Sequence, residues 1–334
     1  MAHHDVIVIG ASSGGVEALS KVLSSLPAEL AAAVFVVLHV NPDAPSYLPA
    51  ILNRAGRLPA AHAVDQEPIR RGRVYVAPPG MQTYVHRGRI AVRRGPIENL
   101  HRPAIDPLFR TAAHHYGPRV IAIVLSGALD DGAAGLAAVK RAGGVAIIQD
   151  PDDAAFPSMP MHALERVEPD FCVPVDQVGD LVVELVASGV GDTLPAEVAL
   201  ETVDEAPTPQ EAHASEELGP PAQITCPDCS GSLWEIEEGT SVRYRCRVGH
   251  AYSEEAIARA QEASVERAMW TALRAVEERV ALLEKLAQQA ERRGQNGVAA
   301  VFRERAHAVG QDAATIHNLI LASRAVDPVG QSST

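Results

Sequence analysis

Four short runs of consecutive apolar residues, most of them β-branched, constrain the fold of this chain most strongly. They are Val6–Ile9, Val34–Leu38, Val120–Leu125 and Val145–Ile148. A strand with one side in solvent alternates apolar with polar residues, whereas a strand of a parallel sheet is covered on both faces and is apolar throughout. The runs therefore predict the buried parallel sheet of an α/β domain.

Helical patterns separate these runs. Apolar residues recur at three- and four-residue spacing in Val16–Leu26, Leu108–Tyr116 and Ala133–Ala142, and Gly143 follows the last segment as a helix stop. This alternation predicts a doubly wound, mostly parallel sheet. Short strand-like runs and tight turns in residues 73–92 predict a small antiparallel appendage to it.

The second half of the chain has a different composition. Residues 189–223 are rich in Pro, Glu, Asp, Ser, Thr and Ala, which predicts a flexible acidic linker after an α/β domain in residues 1–188. Residues 224–252 contain clustered cysteines and predict a zinc-ribbon-like module. Residues 253–325 carry heptad-like apolar positions interrupted by Gly294–Gly297, which predicts an α-helical hairpin.

Charge and hydropathy exclude several classes of protein. The formal net charge of −13 disfavours nucleic acid as a partner. No run of about 18 apolar residues is present, so we expect no transmembrane segment. The amino terminus lacks the basic and apolar regions of a signal peptide, which indicates a cytoplasmic protein.

Polar groups follow three of the apolar runs and are candidates for catalysis. The first run leads into a glycine-rich turn with Ser12 and Ser13, the second ends at His39, and the third precedes Asp130 and Asp131. In an open α/β sheet, side chains beyond the carboxyl ends of the strands share one crevice. A serine nucleophile needs an imidazole base and a carboxylate that orients the imidazole, so these residues predict a Ser-His-Asp site.

A second use of the glycine-rich turn is phosphate binding by its free amides. A dinucleotide site favours an acidic residue at the end of the second strand, where this chain has His39. The histidine therefore favours an esterase or acyl-transfer site. These patterns alone leave open which serine and which aspartate take part.

Five segments resemble, in order, the catalytic domain of CheB-type chemotaxis protein-glutamate methylesterases. The matching segments are Asp5–Val16, Leu38–Pro42, Asn99–Asp106, Ser126–Gly135 and Phe156–Pro160. The resemblance covers about the first 190 residues. It implies that Ser12 is the nucleophile, His39 the base and Asp131 the triad acid, with no catalytic cofactor.

The resemblance also implies a reaction and a partner. The family hydrolyses glutamate methyl esters on cytoplasmic helices of chemoreceptors, and deamidation of glutamine at the same sites is a second implied activity. A methylated chemoreceptor or a related helical signalling protein is the expected partner. The residues expected to line the cleft or hold the oxyanion are Ser13, Gly14, His101, Arg102, Ala128 and Met159.

Two departures from the family pattern qualify these expectations. The family commonly has Gly-Met-Gly where this chain has Gly127-Ala128-Leu129, which puts the shape of that loop in question. The family's usual enzyme carries a phosphoacceptor receiver domain before the catalytic domain, whereas this chain starts at the first catalytic strand. We therefore expect any regulator to act in trans.

Four residues of the second half have the spacing of a metal site. Cys226 and Cys229 form a Cys-x2-Cys knuckle, and Cys246 and His250 form a Cys-x3-His knuckle sixteen residues later. Three thiolates and one imidazole complete a tetrahedral zinc site and leave no open position for catalysis. The pattern predicts structural zinc with no direct part in ester hydrolysis.

The sequence thus predicts a serine esterase, a protein-glutamate methylesterase, joined to a zinc and helical tail. A rival hypothesis is a non-catalytic signalling adaptor that keeps the esterase fold and binds partners through the tail. A nucleotide-binding regulator is a third hypothesis, which His39 makes improbable.

Overall fold

The computed structural model describes residues 4–188, 219–238 and 241–324 of the chain. The chain divides into two compact units, Met1–Ile257 and Ala258–Thr334. Most of the linker predicted for residues 189–223 lies outside the described residues, which resume at position 219.

The first unit contains all the strands of the described chain and most of its helices. The strands are β1 Val6–Ala11, β2 Ala33–Leu38, β3 Ala60–His62, β4 Arg73–Val76, β5 Gln82–His86, β6 Arg89–Arg93, β7 Val120–Val124, β8 Val145–Gln149, β9 Phe171–Val173, β10 Pro221–Thr225, β11 Ser232–Glu238, β12 Ser241–Cys246 and β13 Ala251–Ser253. The helices are α1 Gly15–Ser25, α2 Leu48–Ala55, α3 Ile105–Tyr116, α4 Ala133–Arg141, α5 Ser158–Arg166, α6 Val175–Ser188, α7 Glu254–Arg292 and α8 Asn296–Arg324.

Seven strands form the main sheet, in the order β3-β4-β2-β1-β7-β8-β9. Every neighbouring pair in it is parallel. The four apolar runs of the sequence lie in four adjacent strands of this sheet, β2, β1, β7 and β8. The predicted doubly wound α/β fold is therefore confirmed.

Both faces of this sheet are buried, as continuous apolar strands require. Ile7 and Ile9 of β1 point into one core, which α1, α2 and α6 complete. Val6 and Val8 point into the opposite core, which α3, α4 and α5 complete. Burial on both faces explains why the strand sequences lack polar alternation.

The antiparallel appendage is smaller than the sequence indicated. β5 and β6 pair as an antiparallel hairpin, as predicted. The prediction that Arg73–Ala77 belongs to this appendage is wrong, because β4 pairs with β2 and β3 in parallel within the main sheet. Val74 and Val76 are 0% and 1% exposed on one face and Tyr75 is 1% exposed on the other, so this strand is also covered on both faces.

A second sheet follows the α/β domain within the same unit. Its four strands lie in the order β10-β11-β12-β13, and each neighbouring pair is antiparallel. This sheet, residues 221–253, is called the ribbon below. α7 begins at the residue after β13.

The second unit consists of helical residues from α7 and α8, joined by a turn at residues 293–295. Arg303 of α8 forms an ion pair with Glu291 of α7. The predicted helical hairpin is thus present with a break close to the predicted glycine segment. No helix in the described ranges is long and apolar enough to span a membrane.

Candidate active site

The chain reverses its direction of strand addition at β1. β2 lies on one side of β1 and β7 on the other, so the crevice at the carboxyl ends of these strands is the switch point at which α/β proteins bind ligands. Ser12 follows β1, His39 follows β2, and Asp131 lies in the loop between β7 and α4. The fold therefore brings all three predicted residues to one edge.

The turn after β1 is held by backbone hydrogen bonds. The Ser12 amide donates to the Ser126 carbonyl at 3.0 Å, and the Ser126 hydroxyl donates to the Ser13 carbonyl at 2.8 Å. Gly14 has φ +71°, a left-handed conformation that a side chain would strain. Ser12 is half-buried in this turn, whereas Ser13 is exposed.

His39 forms the central polar contact of the crevice. Its backbone amide donates to the Ala11 carbonyl at 3.2 Å, which fixes it beside the serine turn. Its ring Nε2 lies 2.8 Å from Asp131 Oδ2, with 4% of the histidine side chain exposed and 1% of the aspartate. Ring Nδ1 is buried and has no hydrogen-bond partner among the described residues.

Asp131 accepts hydrogen bonds from backbone and side-chain donors. The amides of Ile105 and Asp106, at the start of α3, donate to its two oxygens at 2.7 and 3.3 Å. Burial opposes ionisation, but the hydrogen bond and charge of His39, together with the Ile105 amide, hold the pKa of Asp131 below its usual value. Gly10 permits this approach, since a Cβ there would lie 2.4 Å from the Ile105 side chain.

His101 packs directly on the imidazole of His39. The two ring centroids are 3.5 Å apart and the planes differ by 9°. Burial and the neighbouring His39 lower the pKa of His101 to about 3. His101 is therefore neutral near pH 7, and its ring lies against the imidazole of His39.

The other predicted cleft residues occupy different positions. Met159 is fully buried, and its side chain would contact any Cβ added at Gly127. Ala128 is exposed in the loop after β7. Arg102 donates from Nη1 to the Gly95 carbonyl at 3.0 Å.

Two buried residues that the sequence analysis assigned no role complete the surroundings of Asp131. Asn99 donates from Nδ2 to Asp131 Oδ1 and to Asp106 Oδ2, each at 2.9 Å. Asp106 Oδ1 in turn accepts from the amides of Gly132 and Gly135 at the start of α4. Both residues lie in one of the segments that carried the family resemblance, and that position was the only signal for them.

The four predicted metal ligands are brought together at one end of the ribbon. The ligand atoms of Cys226, Cys229, Cys246 and His250 all lie within 4.8 Å of one another. Cys229 Sγ is 3.7 Å from Cys246 Sγ, and His250 Nδ1 is 3.5 and 3.6 Å from the sulfurs of Cys226 and Cys246. These three separations match the edges of about 3.5 to 3.8 Å around a tetrahedral ion with zinc-like bond lengths, so the four residues could bind a metal ion.

The crevice therefore holds a hydroxyl, an imidazole and a buried carboxylate on three adjacent strands. The carboxylate is bonded to one ring nitrogen of His39 and the other nitrogen is buried without a partner in the described chain. Such an arrangement can accept a proton from a nucleophile and return it to a leaving group.

Comparison with known proteins gives one family for the α/β domain. The CheB methylesterase family model matches residues 7–182, which is more than half of the chain. A solved structure, the CheB methylesterase catalytic domain of Thermotoga maritima, aligns with a TM-score of 0.52 and 29% identity, covering 56% of this chain and all of that one.

Curated relatives give the same result. A putative protein-glutamate methylesterase/protein-glutamine glutaminase of Leptospira interrogans is 33% identical over 184 residues, which cover 55% of this chain and 95% of that protein. Proteins of that function from Anaeromyxobacter dehalogenans and Methanosarcina mazei are 36% and 35% identical, covering 55% and 54% of this chain but 54% and 52% of theirs. The chain belongs to the CheB methylesterase family.

Proposed function

We propose that the chain is a serine esterase that hydrolyses glutamate methyl esters on a helical signalling protein. The observation that carries the proposal is the buried hydrogen bond between His39 Nε2 and Asp131 Oδ2 beside the Ser12 turn. The names of the Leptospira and Methanosarcina relatives support this substrate class and support glutamine deamidation as a second activity.

In the proposed reaction, Ser12 Oγ attacks the side-chain ester carbonyl while His39 Nδ1 accepts the hydroxyl proton. Asp131 stabilises the imidazolium and fixes the ring through Nε2. His39 then protonates the departing methoxide, and methanol leaves an acyl-enzyme. Water, deprotonated by His39, attacks the acyl group. The bond to Ser12 Oγ then breaks, His39 returns the proton to Oγ, and glutamate is released; with glutamine, ammonia leaves in place of methanol.

Backbone amides are the proposed stabilisers of the oxyanion. The amides of Ser13 and Gly14 lie just before α1, where the helix dipole favours negative charge. The Ala128 amide lies in the facing loop. In that loop Leu129, at a position where the family commonly has glycine, has φ +63° and thus a left-handed conformation.

We propose that Cys226, Cys229, Cys246 and His250 bind one structural zinc ion, on the support of their spacing and their mutual distances. Bound zinc would cross-link the turn after β10 to the turn after β12. Four protein ligands fill a tetrahedral coordination sphere, so the proposed role is to stabilise the ribbon.

Methylated chemoreceptors or related helical proteins are the proposed partners, at a cytoplasmic location. Exposed apolar side chains on α7 and α8, among them Val265, Trp270 and Leu319, suit a helical partner. The adaptor hypothesis shares this surface and differs only in lacking turnover.

Methanol release from radiomethylated receptor fragments separates the two hypotheses. The esterase releases labelled methanol with turnover, while an adaptor binds the fragments and releases none. A parallel ligand-shift assay with nucleotides tests the third hypothesis, for which the expected result is no shift.

A further inference from the structure

Residues 97–101, called the strap, connect the ribbon to the catalytic crevice. The strap lies between β6 and α3, and it carries His101, whose ring stacks on His39. It also carries Asn99, whose side chain donates to Asp131. Two members of the proposed triad are therefore contacted by one five-residue segment.

The opposite side of the strap is bonded to β13 of the ribbon. The Ala251 amide donates to the Ile97 carbonyl at 3.2 Å, and the Asn99 amide donates to the Ala251 carbonyl at 2.9 Å. Glu98 is 1% exposed, and its carboxylate lies 3.8 Å from the Nη1 atom of Arg243 on β12. The ribbon thus holds the strap in place through two backbone hydrogen bonds and a buried ion pair.

Asn99 is the point at which the two sides meet. Its Oδ1 accepts from the Ser253 amide of the ribbon at 2.9 Å, while its Nδ2 donates to Asp131 and Asp106. An amide oxygen cannot face a carboxylate, and an amide nitrogen cannot face the Ser253 N–H, so only one orientation of the side chain satisfies all three partners. The Ser253 amide of the ribbon therefore favours the same orientation as the two carboxylates, with Nδ2 towards Asp131.

The left-handed backbone of the strap makes this support necessary. Asn99 and Leu100 have φ values of 46° and 69°, a conformation that side-chain-bearing residues rarely adopt in succession. The ribbon forms hydrogen bonds with the Ile97 carbonyl, the Asn99 amide and the Asn99 side chain. These hydrogen bonds compensate for the energetic cost of the left-handed conformation.

We propose that Asn99 is a positioning residue for Asp131 and that the Ser253 backbone amide of the ribbon sets its orientation. The ribbon then acts on catalysis without touching substrate, which is compatible with its having no direct part in hydrolysis. This inference rests on the proposed esterase function.

The test uses the full chain and para-nitrophenyl acetate, a small ester that needs no protein docking surface. Asn99→Gly removes the side chain but tolerates the left-handed backbone. We expect kcat to fall about 10- to 100-fold, as for loss of a hydrogen bond to a charged group, with KM unchanged. Ser232→Ala, at an exposed position of β11, is the control and is expected to match the unmodified chain.

A matched pair at position 253 isolates the amide. Ser253→Ala and Ser253→Pro both remove the hydroxyl, but only proline removes the N–H that Asn99 accepts. We expect Ser253→Pro to have a lower kcat than Ser253→Ala in the otherwise unmodified chain, and the two to be equal when combined with Asn99→Gly.

Equal kcat for the two Ser253 variants in the unmodified chain would overturn the proposal, as would a difference that persists in the Asn99→Gly background. The persistent difference would show that proline damages the ribbon by another route. Ser12→Ala identifies failure of the proposed function instead: if the unmodified chain is no faster than Ser12→Ala, the esterase assignment itself fails.

Discussion

Asp106 and Asp131 bind the amino-terminal amides of each other's helices. Asp131, just before α4, accepts from the amides at the start of α3, and Asp106 of α3 accepts from the amides of Gly132 and Gly135 at the start of α4. Each carboxylate satisfies donors that a helix leaves unpaired. The reciprocal arrangement places the proposed triad acid in a rigid frame.

Asp106→Ala should therefore destabilise the protein. Removal of the carboxylate leaves the buried amides of Gly132 and Gly135 and one of the two side-chain N–H groups of Asn99 without this acceptor, so we expect the free energy of unfolding to fall by about 1 to 3 kcal/mol. Urea denaturation measures it. Asp152→Ala, at an exposed position, is the control, and an equal effect of both substitutions would contradict the capping role.

His101 gives a prediction for the pH dependence of stability. Its pKa is lowered to about 3 in the folded chain, against about 6.5 in an unfolded one. Between these values the unfolded state binds a proton that the folded state does not, so stability should fall as the pH is lowered from about 6.5 towards 3.

His101→Phe keeps a ring beside His39 but does not titrate. The slope of unfolding free energy against pH should be smaller for this variant than for the unmodified chain over that window. His317→Phe, at an exposed position of α8, should leave the slope unchanged. Identical slopes for all three proteins would show that His101 does not contribute.

The two adjacent aspartates should differ in their effect on turnover. Asp131→Asn places an amide against His39, and loss of the correct imidazole tautomer lowers kcat by about 10⁴ in other triads. Asp130 instead accepts from the Ser253 hydroxyl at 2.7 Å, so Asp130→Asn should have a much smaller effect. Steady-state kinetics on a methylated receptor fragment measure kcat for both variants. A larger loss of kcat in Asp130→Asn than in Asp131→Asn would assign the triad acid to Asp130.

Elemental analysis tests the metal proposal. We expect one zinc ion per chain, lost in Cys246→Ser because three ligands bind the ion more weakly than four. Cys172, an exposed cysteine of β9 outside the ribbon, provides the control, and Cys172→Ser should retain the metal. A purified chain with all four ligands intact and no bound zinc would contradict the site.

Long apolar runs made the centre of the fold predictable, while short strands did not. β1 and β2 each have six buried residues, which a continuous apolar run in the sequence reveals. β3 and β9 have three residues each, too few to show a period. β4 has four residues and begins at Arg73, directly after Gly72. Because glycine is typical of turns, this short strand was wrongly assigned to the antiparallel appendage.

The candidate site was predictable where its residues follow strands. Ser12 and His39 directly follow β1 and β2, Asp131 lies in the loop after β7, and parallel strands bring their carboxyl ends to one edge. The bond between Asn99 and Ser253 joins residues 154 positions apart through a backbone amide. Such a contact leaves no local pattern, so only the folded chain shows that the ribbon contacts the surroundings of Asp131.

The rate of methanol release by Ser12→Ala, compared with Ser13→Ala, tests the central claim most directly. Ser12 is half-buried beside His39, and Ser13 is its exposed neighbour in the same turn. Only the first substitution removes the proposed nucleophile, so Ser12→Ala should release no methanol from a methylated receptor fragment while Ser13→Ala keeps most of the activity. Equal loss in two folded variants, or methanol release by Ser12→Ala at the rate of the unmodified chain, would contradict the proposed mechanism.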